Sequence, residues 1–341
     1  MSHVSHIVRN KKYLEARALI IRAIREFFWS QEFLEMETPI ILALPGQEPY
    51  LTPMKIAIHN ERGETYQGYL HTSPEYAMKK LLAAGFPKIF SICKTFRDYE
   101  SFGGTHNPEF TMIEWYRTNA TIFDLMSDIE ELFRFILGRI QNKTFDLDLR
   151  FERLHMREAW KKYAGVNLDE YLDRDAMFEL CVKKGYAPKS TEPFDDLFYR
   201  IFLNEIEPHL GEHGVTFLHH YPLCMAALSK VSVTEPQYAE RIEAYAGGLE
   251  LANGFTELTD ADEQLYRLKV EQEFRKETGK EVFPIDLEFI EAVRVMPSAA
   301  GIALGIDRLV QLFTGCKNID DVLVLPASLL FDSSEPKVNS H

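Results

Sequence analysis

Apolar positions recur along the chain with two different periods. Helical spacing predicts helices at residues 13–29, 73–85, 121–140 and 307–315. The second of these, SPEYAMKKLLAAG, has Ser73 at the expected N-cap, Pro74 at the first helical position and Gly85 at the C-terminal stop. Two apolar runs, FLEMETPII (33–41) and TFLHHYPLCMAALSKVSV (216–233), instead predict an edge or end strand and a central strand with a loop.

The segment from 89 to 116 predicts a hairpin that carries chemistry. An apolar run ends at Arg97, a polar loop with two glycines follows, and a second apolar strand begins near residue 109. Alternation on that second strand places four side chains on one face, namely Phe110, Met112, Glu114 and Tyr116. A carboxylate among inward-facing apolar residues is costly unless it has a partner, so this face predicts a binding site with Arg97 and His106 at its rim.

Strands mixed with helices predict an α+β fold with a mainly antiparallel sheet. The chain has 341 residues, of which 46% are hydrophobic, enough for one large domain. We expect one catalytic domain over residues 1–331, with a helical insertion at roughly 150–215 that covers the site. Residues 332–341 are expected to form a flexible tail.

Composition excludes several functions. The net charge of −14 gives little of the counterion release that drives general nucleic-acid binding. The four cysteines form no CxxC pair, which fits a reducing cytoplasm without a zinc or disulfide framework. No apolar run is long enough for a membrane span, so a cytoplasmic protein is expected.

A second group of acids follows in RIEAYAGGLELANGFTE, residues 241–257. The Gly-Gly pair predicts a hairpin turn that places Tyr245 opposite Glu250, so Glu243 and Glu250 share a face. A solvated acidic strand face is one interpretation. Beside a site that must neutralise phosphates, a pair of carboxylates holding Mg²⁺ is the interpretation we prefer.

The segment GIALGIDR, residues 301–308, supplies the third element. Two glycines in a short apolar strand indicate close approach of a backbone or a ligand, and Asp307 is the expected cap of the helix that follows. Arg97 and Arg308 together offer two guanidiniums for a polyphosphate.

These segments resemble the motifs of class II aminoacyl-tRNA synthetases in their lysyl form. FRDYESFGGTHNPEFTMIEWY is similar to motif 2, GIALGIDRL to motif 3, and FLEMETPII to motif 1, whose proline lies at the dimer interface. The similarity covers about residues 10 to 330. It implies the class II synthetase catalytic core and a homodimer.

Within that class, the chain resembles the elongation factor P–(R)-β-lysine ligase family. Lysyl-tRNA synthetases carry an anticodon-binding domain before motif 1, and the sequence leaves no room for one, so no binding of a tRNA anticodon is expected. TSPEYAMK and FTMIEWYR match the ligase family better. So does Ala303, where lysyl-tRNA synthetases usually have glycine, and its methyl group would narrow the amino-acid pocket toward a β-amino acid.

The resemblance implies two sets of binding residues. Those for ATP are Arg97, Glu100, His106, Asn107, Phe110, Glu250, Leu251, Gly305 and Arg308. Those for the amino acid are Ser73, Pro74, Glu75, Glu114, Tyr116, Asn253, Glu257 and Ala303. Glu243 and Glu250 would hold Mg²⁺, and catalysis would rest on Arg97, Arg308 and Glu250.

More detailed roles also follow from the resemblance. Phe110 would stack on one face of the adenine ring, with Arg308 on the other face of the adenine. Glu114, Tyr116 and Glu257 would hold the side-chain ammonium, and Asn253 the carboxylate. The usual FRNE is replaced by FRDYE, so either Tyr99 or Glu100 fills the glutamate position, and the spacing to His106 favours Glu100.

The activity implied is activation of (R)-β-lysine by ATP and its transfer to a lysine of elongation factor P. Two alternatives stay open: a synthetase that charges a tRNA with lysine, and a catalytically silent subunit with a regulatory role. The presence of Arg97, Glu250, Glu257 and Arg308 counts against the silent subunit.

Overall fold

The computed structural model describes residues 2–140, 150–226 and 228–331. The helices are α1 His3–Ser30, α2 Glu75–Ala83, α3 Ile122–Arg139, α4 Met156–Ala159, α5 Arg174–Lys183, α6 Phe194–Ile201, α7 Ala261–Glu277, α8 Leu287–Val295, α9 Ile306–Thr314 and α10 Ala327–Leu330. The strands are β1 Leu34–Glu35, β2 Ile41–Leu42, β3 Lys55–His59, β4 Thr65–Leu70, β5 Lys88–Phe96, β6 Glu109–Thr118, β7 Phe151–His155, β8 Val215–Pro222, β9 Tyr238–Ala246, β10 Leu249–Thr256 and β11 Ala299–Gly305.

Eight of the described strands form one sheet in the order β1-β5-β6-β11-β10-β9-β8-β7. The pairs at its two edges, β1 with β5 and β7 with β8, are parallel, and the inner pairs are antiparallel. The predicted α+β fold with a mainly antiparallel sheet is confirmed. Among the described helices, none has the length and hydropathy needed to cross a bilayer.

The hairpin of β5 and β6 has the predicted alternation. Ile113 and Trp115 lie in the main hydrophobic core, whereas Glu114 lies on the opposite face. Ser91 of β5 and Ala303 of β11 flank Glu114 in register on its two sides. The carboxylate is therefore held in the middle of the sheet by strands on both sides.

Helices α1, α3 and α9 cover the core face of the sheet. The fully buried Trp115 packs against Phe28 of α1, with ring centroids 5.1 Å apart. Apolar residues of all three helices belong to this cluster. Because these helices cover one face of the main sheet, the opposite face is the one available for a binding site.

That other face is framed by a second layer. A three-stranded sheet in the order β2-β4-β3 and the helices α2, α7 and α8 lie on this side. Residues 150–215 begin with β7, which extends the main sheet, and continue with helices that build a separate core against β8 and β9. The segment predicted as an insertion therefore belongs partly to the sheet, and α6 alone borders the cavity described below.

Three local predictions need correction. Residues 33–41 contain the two-residue strand β1 and only the first residue of β2, Ile41, instead of one continuous strand. Pro74 takes the N-cap of α2 in place of Ser73, whose hydroxyl donates to Glu114 and accepts from the Glu75 amide. Asp307 is no cap, since α9 begins at Ile306 and Gly305 takes the N-cap.

Two further predictions concern position. The strand expected within 216–233 is β8, which lies second from the edge of the sheet rather than at its centre. The predicted tail, 332–341, lies outside the described residues.

Candidate active site

A cavity of about 710 Å³ opens on the free face of the main sheet. The predicted site residues that line it are Ser73, Glu75, Arg97, Glu100, His106, Asn107, Phe110, Glu114, Tyr116, Glu250, Leu251, Asn253, Ala303, Gly305 and Arg308. The predicted residues that do not line it are Pro74, Glu243 and Glu257. Residues more than 200 positions apart thus meet in one pocket, with Arg97 and Arg308 beside Glu250 and with Glu75 near Glu114.

Arg308 is fixed by three hydrogen bonds. Its guanidinium donates to the carbonyl oxygens of Thr105 at 3.2 Å and Glu250 at 2.8 Å, and to His106 Nε2 at 3.0 Å. Since Arg308 Nη2 is a donor, His106 Nε2 must accept. Burial and the charge of Arg308 lower the pKa of His106, which keeps the imidazole neutral for this contact.

Arg97 approaches the same part of the cavity from the hairpin. Its guanidinium carbon lies 5.0 Å from the centre of the Phe110 ring, and its Nε is shielded from solvent without an acceptor among the described residues. Burial lowers the pKa of Arg97. A buried guanidinium with an unused donor is suited to an anionic ligand, because such a donor is costly to leave unpaired.

The loop before β6 is held by backbone contacts. Asn107 Nδ2 donates to the Glu109 carbonyl at 2.6 Å, and its Oδ1 accepts from the Ala327 amide at 2.9 Å. The side chain of Asn107 thus joins the loop to α10, although the residue lines the cavity. Gly104 is joined to Asn318 and Ile319 by hydrogen bonds of 3.0 and 2.8 Å, so the loop has a defined course.

The structure distinguishes the two candidates for the motif 2 glutamate. Glu100 lines the cavity, and Tyr99 is 90% exposed with a positive φ of 61°. The preference for Glu100 therefore agrees with its position. One face of Phe110 is covered by Arg97, so an adenine ring would stack on the other face.

Glu114 also lines the cavity and is 1% exposed. It accepts hydrogen bonds from the Ser73 hydroxyl at 2.6 Å and the Tyr116 hydroxyl at 2.7 Å. Burial, followed by the charge of Glu75, raises the pKa of Glu114 to about 7. A cationic group in the cavity would favour the ionised form of this carboxylate.

Lys79 joins two more acids behind the cavity wall. Its ammonium is fully buried and lies 2.6 Å from carboxylate oxygens of both Glu75 and Glu257. Burial alone would lower the pKa of Lys79, but these two carboxylates raise it, so the side chain stays charged. Glu257, predicted to bind the substrate ammonium directly, instead pairs with Lys79 and lies behind Gly301.

Small residues on β10 and β11 shape the cavity floor. Asn253 and Ala303 are register partners, and both line the cavity. Asn253 Oδ1 is shielded from solvent and accepts no hydrogen bond from the described residues. A Cβ atom at Gly305 would lie 3.9 Å from the Leu251 carbonyl oxygen. The lack of a side chain at Gly305 therefore leaves open space on the cavity floor beside Arg308.

The two predicted metal ligands differ in their surroundings. Glu243 is 5% exposed, and its two oxygens are engaged by Arg241 at 2.6 Å and by the hydroxyls of Tyr221 and Tyr245. Tyr245 lies opposite Glu250 as predicted, and a bulge follows Glu250. Glu243 therefore belongs to a buried polar cluster, and it does not line the cavity.

Glu250 does fit a cation. It lines the cavity, and its carboxylate lies 3.8 Å from Arg308 without accepting a hydrogen bond from a described side chain. Burial and the neighbouring charge of Glu243 raise the pKa of Glu250, which is the situation that a bound cation relieves.

The sequence did not point to two acids that line the cavity, Glu48 and Glu271. Glu48 belongs to the segment between β2 and β3, and Glu271 to the middle of α7. Helix α7 has polar residues all round, so nothing in its pattern distinguishes Glu271 from its solvated neighbours.

The fold and the cavity define the class of protein. The family model for class II tRNA synthetases (D, K and N) matches residues 5–329. The chain belongs to the class II tRNA synthetase family.

Closely similar relatives share one description. The chain is 39% identical over 320 residues to the elongation factor P–(R)-β-lysine ligase of Pseudoalteromonas translucida, covering 91% of this chain and 94% of that protein. The ligase of Haemophilus influenzae is 37% identical over 316 residues, with 92% and 94% covered. The ligase of Yersinia enterocolitica is 36% identical over 315 residues, with 91% and 93% covered.

Proposed function

We propose that the protein activates (R)-β-lysine with ATP and transfers it to the ε-amino group of a specific lysine on elongation factor P. The observation that carries this proposal is one cavity that Arg97 and Arg308 line together with Glu75 and Glu114. The names of the similar ligases support the same substrate and acceptor.

The first step joins the amino acid to the nucleotide. A carboxylate oxygen of β-lysine attacks the α-phosphorus of ATP, and the bond to the β-phosphate oxygen breaks, so pyrophosphate leaves. Arg97 and Arg308 would stabilise the charge on the phosphoryl oxygens. Both guanidiniums are already positioned by the protein, so little reorganisation accompanies the reaction.

Glu250 would contribute a carboxylate ligand to Mg²⁺, which is usually bound through one or two carboxylates and the phosphates of the substrate. When bound, the ion would offset the charge of the triphosphate. The geometry supports Glu250 for this role and not Glu243, whose oxygens are engaged elsewhere.

The acidic group around Glu114 would bind the ammonium of the amino-acid side chain. Glu114 is fixed by Ser73 and Tyr116, so its carboxylate is oriented before the ligand arrives. Lys79 holds Glu75 in the same way, and Glu257 acts through Lys79. The methyl group of Ala303, in register with both Glu114 and Asn253, supports a preference for a β-amino acid.

The second step forms the new amide. The ε-amine of the acceptor lysine attacks the carbonyl of the mixed anhydride, AMP leaves, and the amine loses a proton. A homodimer built on motif 1 is part of the proposal. It is supported by the exposure of Leu34, Ile40 and Ile41, which are 52, 39 and 50% accessible in this segment.

ATP–pyrophosphate exchange with (R)-β-lysine and with L-lysine tests the proposal. Exchange that strongly favours (R)-β-lysine supports the ligase. A preference for L-lysine would point to a lysine-activating synthetase, and exchange with neither amino acid would point to a silent subunit.

A further inference from the structure

Three histidines and a glutamate meet near one edge of the main sheet, outside the cavity. His155 is the last residue of β7, His219 and His220 are neighbours in β8, and Glu235 lies in the segment before β9. One nitrogen or oxygen atom from each of His155, His220 and Glu235 lies within 4.8 Å of the other two. None of these residues lines the cavity, so the proposed function makes no use of them.

An irregularity in β8 brings the two neighbouring histidines together. Successive side chains of a regular strand point to opposite faces, yet His219 Nδ1 lies 2.7 Å from His220 Nδ1. The register with β9 shifts between His219 and Tyr221, and His220 has a φ of 62°, in the left-handed region that few residues other than glycine adopt. A bulge of this kind redirects a side chain, and such backbone strain is concentrated at functional sites. Here it places the His220 ring against His155, with ring centroids 4.9 Å apart.

Glu235 is held with one oxygen toward the histidines. Its Oε2 accepts from His155 Nε2 at 2.8 Å, and its Oε1 accepts from the Arg157 guanidinium at 2.8 Å. Arg157 also pairs with Asp169, at 2.7 Å, so two carboxylates share one guanidinium. The group formed by Glu235, Asp169 and Arg157 therefore keeps a net negative charge, which a bound cation would offset.

We propose that His155, His220 and Glu235 form a binding site for a transition-metal ion of the Zn²⁺ class. Two imidazoles and a carboxylate are ligands that Zn²⁺ uses, whereas Mg²⁺ and Ca²⁺ prefer oxygen ligands alone. His219 holds the His220 ring through the contact between their Nδ1 atoms, and a ligating histidine usually has such a partner on its second nitrogen. The site uses no cysteine, so the lack of a CxxC pair does not bear on it.

Metal binding changes the hydrogen bonds of His155. Without metal, His155 Nδ1 accepts from the Arg157 amide at 3.0 Å, so the ring proton lies on Nε2 and is donated to Glu235. Ligation through Nε2 places that proton on Nδ1, and the bonds to Glu235 and from the Arg157 amide are given up. In return the ion links β7, β8 and the segment before β9, where residues 150–215 join the sheet. The metal would therefore stabilise this edge of the fold.

The test measures binding of zinc chloride to the full-length protein without an affinity tag. The protein is treated with EDTA, transferred to buffer without chelator and titrated by calorimetry. Zinc that remains bound after gel filtration is measured by mass spectrometry, and magnesium chloride is titrated in parallel. The variants are His155→Gln, Glu235→Gln and His220→Asn, the last chosen because asparagine tolerates a left-handed φ. Melting curves recorded without metal check that each variant is folded.

Two control variants separate this site from others. His59→Gln removes an exposed histidine of β3, and Glu250→Gln removes the carboxylate expected to bind Mg²⁺ in the cavity. Wild-type protein and both controls should retain one Zn²⁺ per chain and melt at a higher temperature when it is bound. Each of the three ligand substitutions should weaken Zn²⁺ binding at least about tenfold and remove the rise in melting temperature. The titration with Mg²⁺ should be the same in these three variants as in the wild type.

A wild-type protein that retains no Zn²⁺ would overturn the proposal. Zn²⁺ binding that is unchanged in the folded ligand variants would overturn it as well, and so would binding that is lost in Glu250→Gln, because the ion would then lie in the cavity. If one ligand substitution prevents folding, the other two decide the result.

Discussion

Gly301 lies so close to Tyr116 that a Cβ atom on Gly301 would fall 2.1 Å from two carbons of the tyrosine ring. The two residues are register partners on β11 and β6, and Tyr116 donates to Glu114 at 2.7 Å. Because Gly301 has no side chain, the Tyr116 ring has room to take the position from which its hydroxyl orients the Glu114 carboxylate.

Gly301→Ala should displace Tyr116 and weaken amino-acid binding. We expect KM for the amino acid to rise at least tenfold with a smaller effect on KM for ATP, together with a loss of about 1–3 kcal/mol in the free energy of unfolding from overpacking. Exchange kinetics and denaturant titration measure the two effects. Gly138→Ala in α3, where nothing lies within 4 Å of the new Cβ, is the control and should leave activity unchanged. Normal kinetics in Gly301→Ala would contradict the role of Tyr116.

Arg308→Ala should abolish pyrophosphate exchange. The guanidinium joins β10 to the loop at Thr105 and His106, and it faces the expected position of the triphosphate. Loss of a fixed donor to a transition state costs about 10²–10³-fold in rate. Arg308→Lys should recover little, since one ammonium cannot replace the planar fork. The control is Arg294→Ala on the surface of α8, which should keep wild-type exchange. Near-normal exchange in Arg308→Ala would remove this residue from the nucleotide site.

Glu257→Gln should weaken amino-acid affinity and leave ATP affinity nearly intact. The reason is indirect, because Glu257 neutralises Lys79, which holds Glu75 at the cavity. The loss in unfolding free energy should stay below the roughly 3–5 kcal/mol typical of a broken buried pair, since Lys79 keeps Glu75 as a partner. Separate KM values for ATP and for the amino acid check this prediction. An equal rise in both would show that Glu257 acts on the whole cavity.

Stability of the free protein should fall as the pH rises from 6.5 to 8.5. Burial raises the pKa of Glu271 to about 8 and that of Glu114 to about 7, so the folded state keeps protons that the unfolded state releases near pH 4.5. When the folded state binds more protons, stability decreases with pH. The melting temperature of Glu271→Gln should decrease less over this range than that of the wild type. An identical slope in both proteins would contradict the raised pKa of Glu271.

Local patterns predicted the parts of the site that lie on regular strands. Alternation along β6 placed Glu114 and Tyr116 on the cavity face because a strand has a period of two residues. The Gly-Gly turn predicted that Tyr245 lies opposite Glu250, and both turn glycines have positive φ as a tight hairpin requires.

Contacts between distant segments gave no local signal. Glu243 was predicted as a metal ligand, and the sequence did not indicate that Tyr221 of β8 donates a hydrogen bond to it. Lys79 comes from α2 to pair with Glu257, 178 positions away, and no period within either segment indicates that contact. Likewise, Glu48 and Glu271 reach the cavity from two segments far apart in the chain, so a single sequence gives no local signal for them.

The most direct test of the account is transfer to the acceptor. Purified protein is incubated with ATP, (R)-β-lysine, elongation factor P and unfractionated tRNA, and the products are analysed by intact-protein mass spectrometry and peptide mapping. The account predicts one β-lysyl group on the ε-amine of a single lysine of elongation factor P, formed only with ATP and accompanied by AMP. Attachment of the amino acid to tRNA, with elongation factor P unmodified, would contradict it.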